Sequence, residues 1–214
     1  MGKLKKSYFS EDIDGRLPKR ERIIEAATLL FARNEPGKVV MDEIAEKAKV
    51  AKGTLYNYFN SKEDLYFSSI RYRLNHLLKL LTEAFDSRED SIENLRSFIV
   101  HIFSFFVNNP HFFQIWCREE EQLNRNGDER LNEMRGDILK LLRSVIKTGI
   151  RQGHFSIWID NFTAEVTLGA VRSAAGHVIH RRVSDREKKE LREELVNFIL
   201  SAFLKKETYE ITGK

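Results

Sequence analysis

Between residues 49 and 62 the chain sets three lysines, Lys49, Lys52 and Lys62, among Thr54, Tyr56, Asn57 and Tyr58, with a glycine at Gly53. Such side chains suit a nucleic-acid duplex. Lysine contacts guanine acceptors or phosphates, asparagine and threonine read base edges, and tyrosine hydroxyls donate to phosphate. Gly53, lacking a β-carbon, lets the backbone approach such a surface closely, at a cost of about 1 kcal/mol in helix propensity relative to alanine. Ala51 stands where the short helix carrying these groups is expected to begin. Lys62, in the first turn of the following helix, lies beside backbone N–H groups with no partner inside their helix, and so is placed to hold one phosphate. Leu55 and Phe59 are expected to turn inward.

The charge distribution points to the same end of the chain. Net charge is +4 over 214 residues. Residues 1–62 hold 13 Lys+Arg against 9 Asp+Glu, and the remainder holds 23 of each, so the whole excess lies in the N-terminal part. A small basic module on a neutral body is the layout of a nucleic-acid reader with a separate sensing or assembly domain. Catalytic chemistry is poorly supported. There is no phosphate-binding glycine loop, nucleophile elbow or paired Cys/His arrangement. His177 and His180 share a helix face but lack a nearby third ligand, so no metal is expected, and no cofactor either. Glu119-Glu120-Glu121 reads as a solvated charge run.

The elements that must position the basic set are helices. Only Pro18, Pro36 and Pro110 occur, and the 104 residues from His111 onward contain nothing that must break a helix. The spacing predicts an all-α chain of about nine helices. Residues 1–18 read as a mobile arm. A first helix carries Ile23, Ala26, Ala27, Leu30 and Phe31 from Lys19 to near Arg33, and a second carries Met41, Ile44, Ala45 and Ala48 on one face. The third runs from about Ala51 to Asn57, which makes 19–62 a helix-turn-helix module. A Ser61–Asp64 capping box should start the fourth helix, Asn109 should cap the sixth with Pro110 at its first position, Asp160 should cap the eighth, and a Ser184–Glu187 box should start the ninth. The longest apolar stretch, Phe98–Val107, is far short of a membrane span, and the charged start lacks a signal-peptide core. With the single Cys117, these features predict a cytoplasmic chain without membrane association.

The string from Asp42 to Leu65 strongly resembles the DNA-binding signature of the TetR family of transcriptional repressors. The resemblance is close over residues 19–67 and beyond them is one of helix count and size. It implies that Lys49, Ala51, Lys52, Gly53, Thr54, Tyr56, Asn57, Tyr58 and Lys62 meet a double-stranded operator. It departs from the pattern in three places: Val39 and Val40 replace the usual N-capping hydroxyl, Lys49 replaces the turn glycine, and Asn34-Glu35-Pro36-Gly37 replaces an aromatic-glycine segment. Asp42 is then expected to shift the start of the second helix inward.

The resemblance also implies that residues 63–208 bind an effector and dimerise. Seven of the 23 aromatics fall between residues 98 and 116, a density suited to an apolar, small-molecule effector. Candidate lining residues are His101, Phe105, Phe112, Phe113, Trp116, Cys117, Trp158 and Arg172. Small residues crowd the eighth helix, where Gly169, Ala170, Ser173, Ala174 and His177, with Leu195, Phe198 and Ile199 of the ninth, are the candidate homodimer interface. Two other classes stay open at the level of sequence. One is a helical carrier or enzyme with an aromatic pocket, the other a non-specific architectural DNA binder. Absence of DNA binding would favour the first, and affinity uniform across sequences the second.

Overall fold

The computed structural model describes residues 13–85, 90–126, 129–156 and 160–204. Nine α-helices are formed among them: α1 (Lys19–Arg33), α2 (Met41–Lys47), α3 (Lys52–Tyr58), α4 (Lys62–Ala84), α5 (Ser91–Asn108), α6 (Pro110–Asn126), α7 (Glu129–Arg151), α8 (Asp160–Arg181) and α9 (Asp185–Phe203). The chain groups into two compact units. One comprises the chain to Leu78 with Phe105–Arg135, and the other comprises Lys79–Ser104 with the chain from Gly136.

In the first unit, α1 is the central element because three neighbours need it. Its buried stripe of Ile23, Ile24, Ala27 and Phe31 packs against α2, α3 and α6, and most extensively against α6. Polar groups make that packing specific. Arg118 of α6 donates to the carbonyls of Phe31 (2.9 Å) and Asn34 (3.2 Å), satisfying the free C-terminal end of α1, and to the Tyr66 hydroxyl of α4 (3.2 Å). The Tyr66 hydroxyl donates to Glu119. Arg73 of α4 bonds Glu25 of α1 and Asn109. Glu119 and Glu120 are therefore buried, not part of a solvated run as their sequence suggested. Arg118 and Arg135 lie beside them at 3.8 and 3.3 Å, and only the third glutamate, Glu121, faces water.

Burial, reinforced by the bond to Glu119, pushes the Tyr66 phenol well above the ordinary tyrosine range, with Arg118 opposing. The neutral phenol is thus favoured in the fold. Its stabilising contribution is complete below the unfolded tyrosine value of about 10 and is lost as pH rises above it, because the unfolded chain then sheds its proton first. The urea midpoint should fall between pH 9 and 10.5 more steeply in the native protein than in Tyr66→Phe. Equal slopes would remove this assignment.

Helix starts differ in part from the sequence expectations. Ser184 and Glu187 cap α9 reciprocally, as expected. Ser61 accepts from the Asp64 amide (3.0 Å), but Asp64 reaches back to the Asn60 amide (2.9 Å). Asn109 does not cap α6 with its side chain. The amide turns back to the Phe105 carbonyl (2.7 Å), closing the end of α5, because its oxygen is drawn to Arg73. Asp160 is the first residue of α8, not a cap before it.

In the second unit, α7 ends where Gly153 takes φ +76°. The chain then doubles back so that the Phe155 ring lies buried on Gly149, edge-on to Phe203 at 5.4 Å. Phe155 makes an isolated antiparallel bridge with Leu204. Helix α8 packs on α9, and its buried Ala164, Leu168, Val171, Ala175 and Val178 form an inward stripe at helical spacing.

Candidate nucleic-acid interface

Helix α3 is held by two inward residues and offers the rest. Leu55 is fully buried and Phe59, just past its end, is nearly so, with the Arg20 guanidinium 5.5 Å over the Phe59 ring. Lys52, Gly53, Tyr56, Asn57 and Tyr58 are exposed, as are Lys49 and Ala51, while Thr54 is half-buried. The structure thus brings the nine sequence candidates onto one short helix and its two flanks. A β-carbon built on Gly53 would meet nothing within 4 Å. Nothing among the described residues requires glycine there, and the position is open to close approach from outside. Tyr56 and Tyr58 are the large exposed aromatic side chains of α3. Tyr56→Ala should lower operator affinity about tenfold with unchanged helicity, since one direct contact is worth roughly 1–3 kcal/mol. Undiminished affinity on selected fragments would remove it from the reader set.

The turn before α3 is positioned at some cost. Lys49 adopts φ 54°, the left-handed conformation that the glycine-free turn demands of it, at about 1 kcal/mol. Its amide bonds the Glu46 carbonyl (2.9 Å), and its own carbonyl accepts from Arg22 at 3.5 Å. Helix α2 has no side-chain cap, as its valines imply, and begins at Met41, so Asp42 does not shift the start inward. Lys62 has a partner that sequence could not show. Its ammonium donates to the carbonyls of Gly37 (2.7 Å) and Val39 (3.0 Å), tying the 3-10 turn at Pro36–Lys38 to α4. Two of its three N–H donors are thereby used within the chain.

The candidate effector residues divide. Phe105, Phe112, Phe113 and Trp116 are buried and interlock with Phe106 at centroid distances of 5.4–6.3 Å, tilted or edge-on. His76 of α4 stands edge-on to Phe105 at 6.0 Å. Cys117 is half-buried in the same unit. His101 and Arg172 belong to the other unit, and His101 bonds back onto its own helix at the Ser97 carbonyl (2.7 Å). Trp158 lies outside the described residues. Among the described residues, no three His, Cys, Asp or Glu side chains are grouped to hold a metal, and no helix is long and apolar enough to cross a membrane.

The candidate interface residues on α8 and α9 divide too. Gly169, Ser173 and His177 lie on the face of α8 opposite its inward stripe, flanked by Ala170 and Ala174. That face also carries Phe162 (67% exposed) and Val166 (53%), which sequence reasoning missed although their four-residue spacing places them there. On α9, Phe198 is 69% exposed. Leu195 and Ile199 are instead buried within their own chain, because they share a helix face with Val196, Leu200 and Phe203.

Comparison with known proteins places this geometry. Residues 23–68 match a family model described as bacterial regulatory proteins, tetR family, and residues 88–176 match one described as tetracyclin repressor-like, C-terminal domain. The fatty acid metabolism regulator protein of Bacillus subtilis is 27% identical over 143 residues, covering 67% of this chain and 74% of that protein. A solved structure of a Clostridium perfringens protein described as a fatty acid metabolism regulator is 26% identical, with a TM-score of 0.74 over 86% of this chain and 100% of that one. The transcriptional regulator FadR of Bacillus subtilis, solved in complex with stearoyl-CoA, has a TM-score of 0.73 at 21% identity, covering 85% of this chain and 98% of its own, a likeness of fold.

Proposed function

Because the chain belongs to the TetR family, whose members among its relatives are transcriptional regulators and not enzymes, we propose that it is a homodimeric repressor, released from a palindromic operator by an apolar effector. The observation that carries the reading is α3 itself, a helix anchored by Leu55 and Phe59 whose other side chains, apart from half-buried Thr54, stand exposed beside a glycine in open space. Two copies would place their α3 helices in successive major grooves, about 34–36 Å apart in the simplest geometry.

Dimerisation is supported by α8, which has apolar residues on two opposite faces. One is filled by its own chain, and the other, with Phe162 and Val166, calls for a second partner. Gly169 on that face has open space around its β-carbon position, which suits close approach of another helix. The effector reading is supported by the ring cluster and by one polar atom within it. The Trp116 indole N–H is buried and has no hydrogen-bond partner, and such a donor suits a ligand that is apolar apart from an acceptor. The acyl chain of the stearoyl-CoA bound to the Bacillus FadR, apolar up to its thioester carbonyl acceptor, is a group of this kind.

The test is to select bound fragments from the source genome and titrate the complexes with acyl-CoA of increasing chain length. Palindromic fragments, a dimer in sedimentation and release by long chains at concentrations where free CoA has no effect are expected. Trp116→Phe, which keeps an aromatic ring of smaller size and loses the donor, should need about tenfold more effector, the worth of roughly one hydrogen bond. A 25.1 kDa species alone at micromolar concentration, or complexes indifferent to every chain length, would overturn the respective part.

A further inference from the structure

An acidic side chain of α2 is bonded directly to a member of the reader set. Asp42, in the first turn of α2, takes the Lys52 ammonium on both carboxylate oxygens, at 2.8 and 2.9 Å. Both side chains are about three-fifths exposed. An exposed ion pair of this kind contributes little to stability, and a carboxylate on a surface that meets phosphates weakens binding unless it has a task there.

The pair presents a donor and an acceptor side by side, and that is the complement of one base-pair edge. In the major groove a G·C pair shows the guanine O6 and N7 acceptors next to the cytosine N4 amino donor, O6 and N4 being hydrogen-bonded to each other. An ammonium has three N–H donors, so Lys52 can keep its bond to Asp42 and still donate to guanine. A carboxylate has about four lone-pair sites, so Asp42 can hold Lys52 and still accept from cytosine N4. No other base pair offers acceptor and donor in that order and strand sense at the same offset. The pair also restrains the flexible lysine stem before DNA arrives, lowering the ordering cost of the contact. The hydrogen bond it donates to Asp42 holds the Lys52 ammonium above the ordinary lysine range, which keeps it a donor.

We propose that Asp42 and Lys52 act as one unit that reads a single G·C pair in each operator half-site, with Asp42 a specificity-determining residue contributed by α2. The proposal rests on the sequence-specific DNA-binding reading above, and its test separates the two. The full-length protein and the variants Asp42→Ala, Lys52→Ala and the double substitution are each used to select duplexes from a random library, and affinities are then measured on the selected site with every base pair replaced in turn. Exposure of both residues means that the variants should fold, which unfolding midpoints check.

The wild-type selection should contain one G·C position per half-site at which replacement costs roughly tenfold or more in affinity. Each single variant should lose discrimination at that same position and keep it elsewhere, and the double variant should lose no more than either single one. Loss at different positions in the two variants would overturn the unit. A uniform gain in affinity for Asp42→Ala on every duplex would overturn it as well, showing that Asp42 only repels phosphate. Should the wild-type protein enrich no sequence at all, the reading as a sequence-specific regulator falls, and this proposal falls with it.

Discussion

Replacing Arg118 by leucine is expected to lower stability by about 3 kcal/mol, which for a chain of this size moves the unfolding midpoint by roughly 10 °C. The side chain gives three hydrogen bonds, to two carbonyls at the end of α1 and to the Tyr66 hydroxyl, and it is the cation nearest the buried Glu119. Its removal leaves a carboxylate inside the fold without a compensating charge, and leaves the Phe31 and Asn34 carbonyls at the end of α1 without the donor it supplied. The expectation has a second half. Adding Glu119→Leu and Tyr66→Phe should recover most of the loss, since an unpaired buried charge costs more than an apolar replacement of the whole group. Thermal unfolding of the single and triple variants checks both halves. A single variant within about 0.5 kcal/mol of wild type would show that water reaches Glu119 freely. Operator affinity should drop with the single variant, because α1 is the helix on which α2 and α3 are mounted.

Gly149→Ala is the second large effect, and its sign opposes local propensity. Within a helix this change ordinarily stabilises by about 1 kcal/mol. Here the new β-carbon would fall 2.1 Å from Cδ2 and 2.2 Å from Cε2 of Phe155. That ring has little room to yield, being buried and set edge-on against Phe203, while its backbone is bridged to Leu204 and the Ser156 amide is bonded to the Phe203 carbonyl at 2.9 Å. A net loss of about 2–3 kcal/mol is expected, visible as an earlier urea midpoint. Pairing it with Phe155→Leu, which opens space, should return part of the loss. A stabilised Gly149→Ala protein would mean that the turn after α7 moves aside without cost.

These two positions show where sequence reading stops. Periodicity located α1 to the residue and most other helices to within a few, because a 3.6-residue apolar stripe is a local signal that burial then enforces. Helix α3 and its exposed face were legible for the same reason. Its residues are contiguous, so one short stretch carries both the anchors, Leu55 and Phe59, and the exposed set around Tyr56. The outward face of α8 was half legible. Its small residues stood out as a cluster, whereas Phe162 and Val166 were not singled out, and burial of the opposite face is what leaves them exposed. Leu195 and Ile199 are buried within their own chain, which the sequence could not show because apolar character alone does not say which of two partners covers a helix.

What the amino-acid order determined by itself was the set of helices, the basic end and the group of side chains exposed on and around α3, all consequences of interactions among residues a few positions apart. Tertiary structure decided the pairings across distance: Arg118 with the end of α1, Glu119 drawn inside, Asn109 turned back onto α5, Lys62 tied to the 3-10 turn, and Asp42 joined to Lys52. A polar side chain bonds whatever burial brings within about 3 Å of it. Its own neighbours in sequence carry no record of that partner.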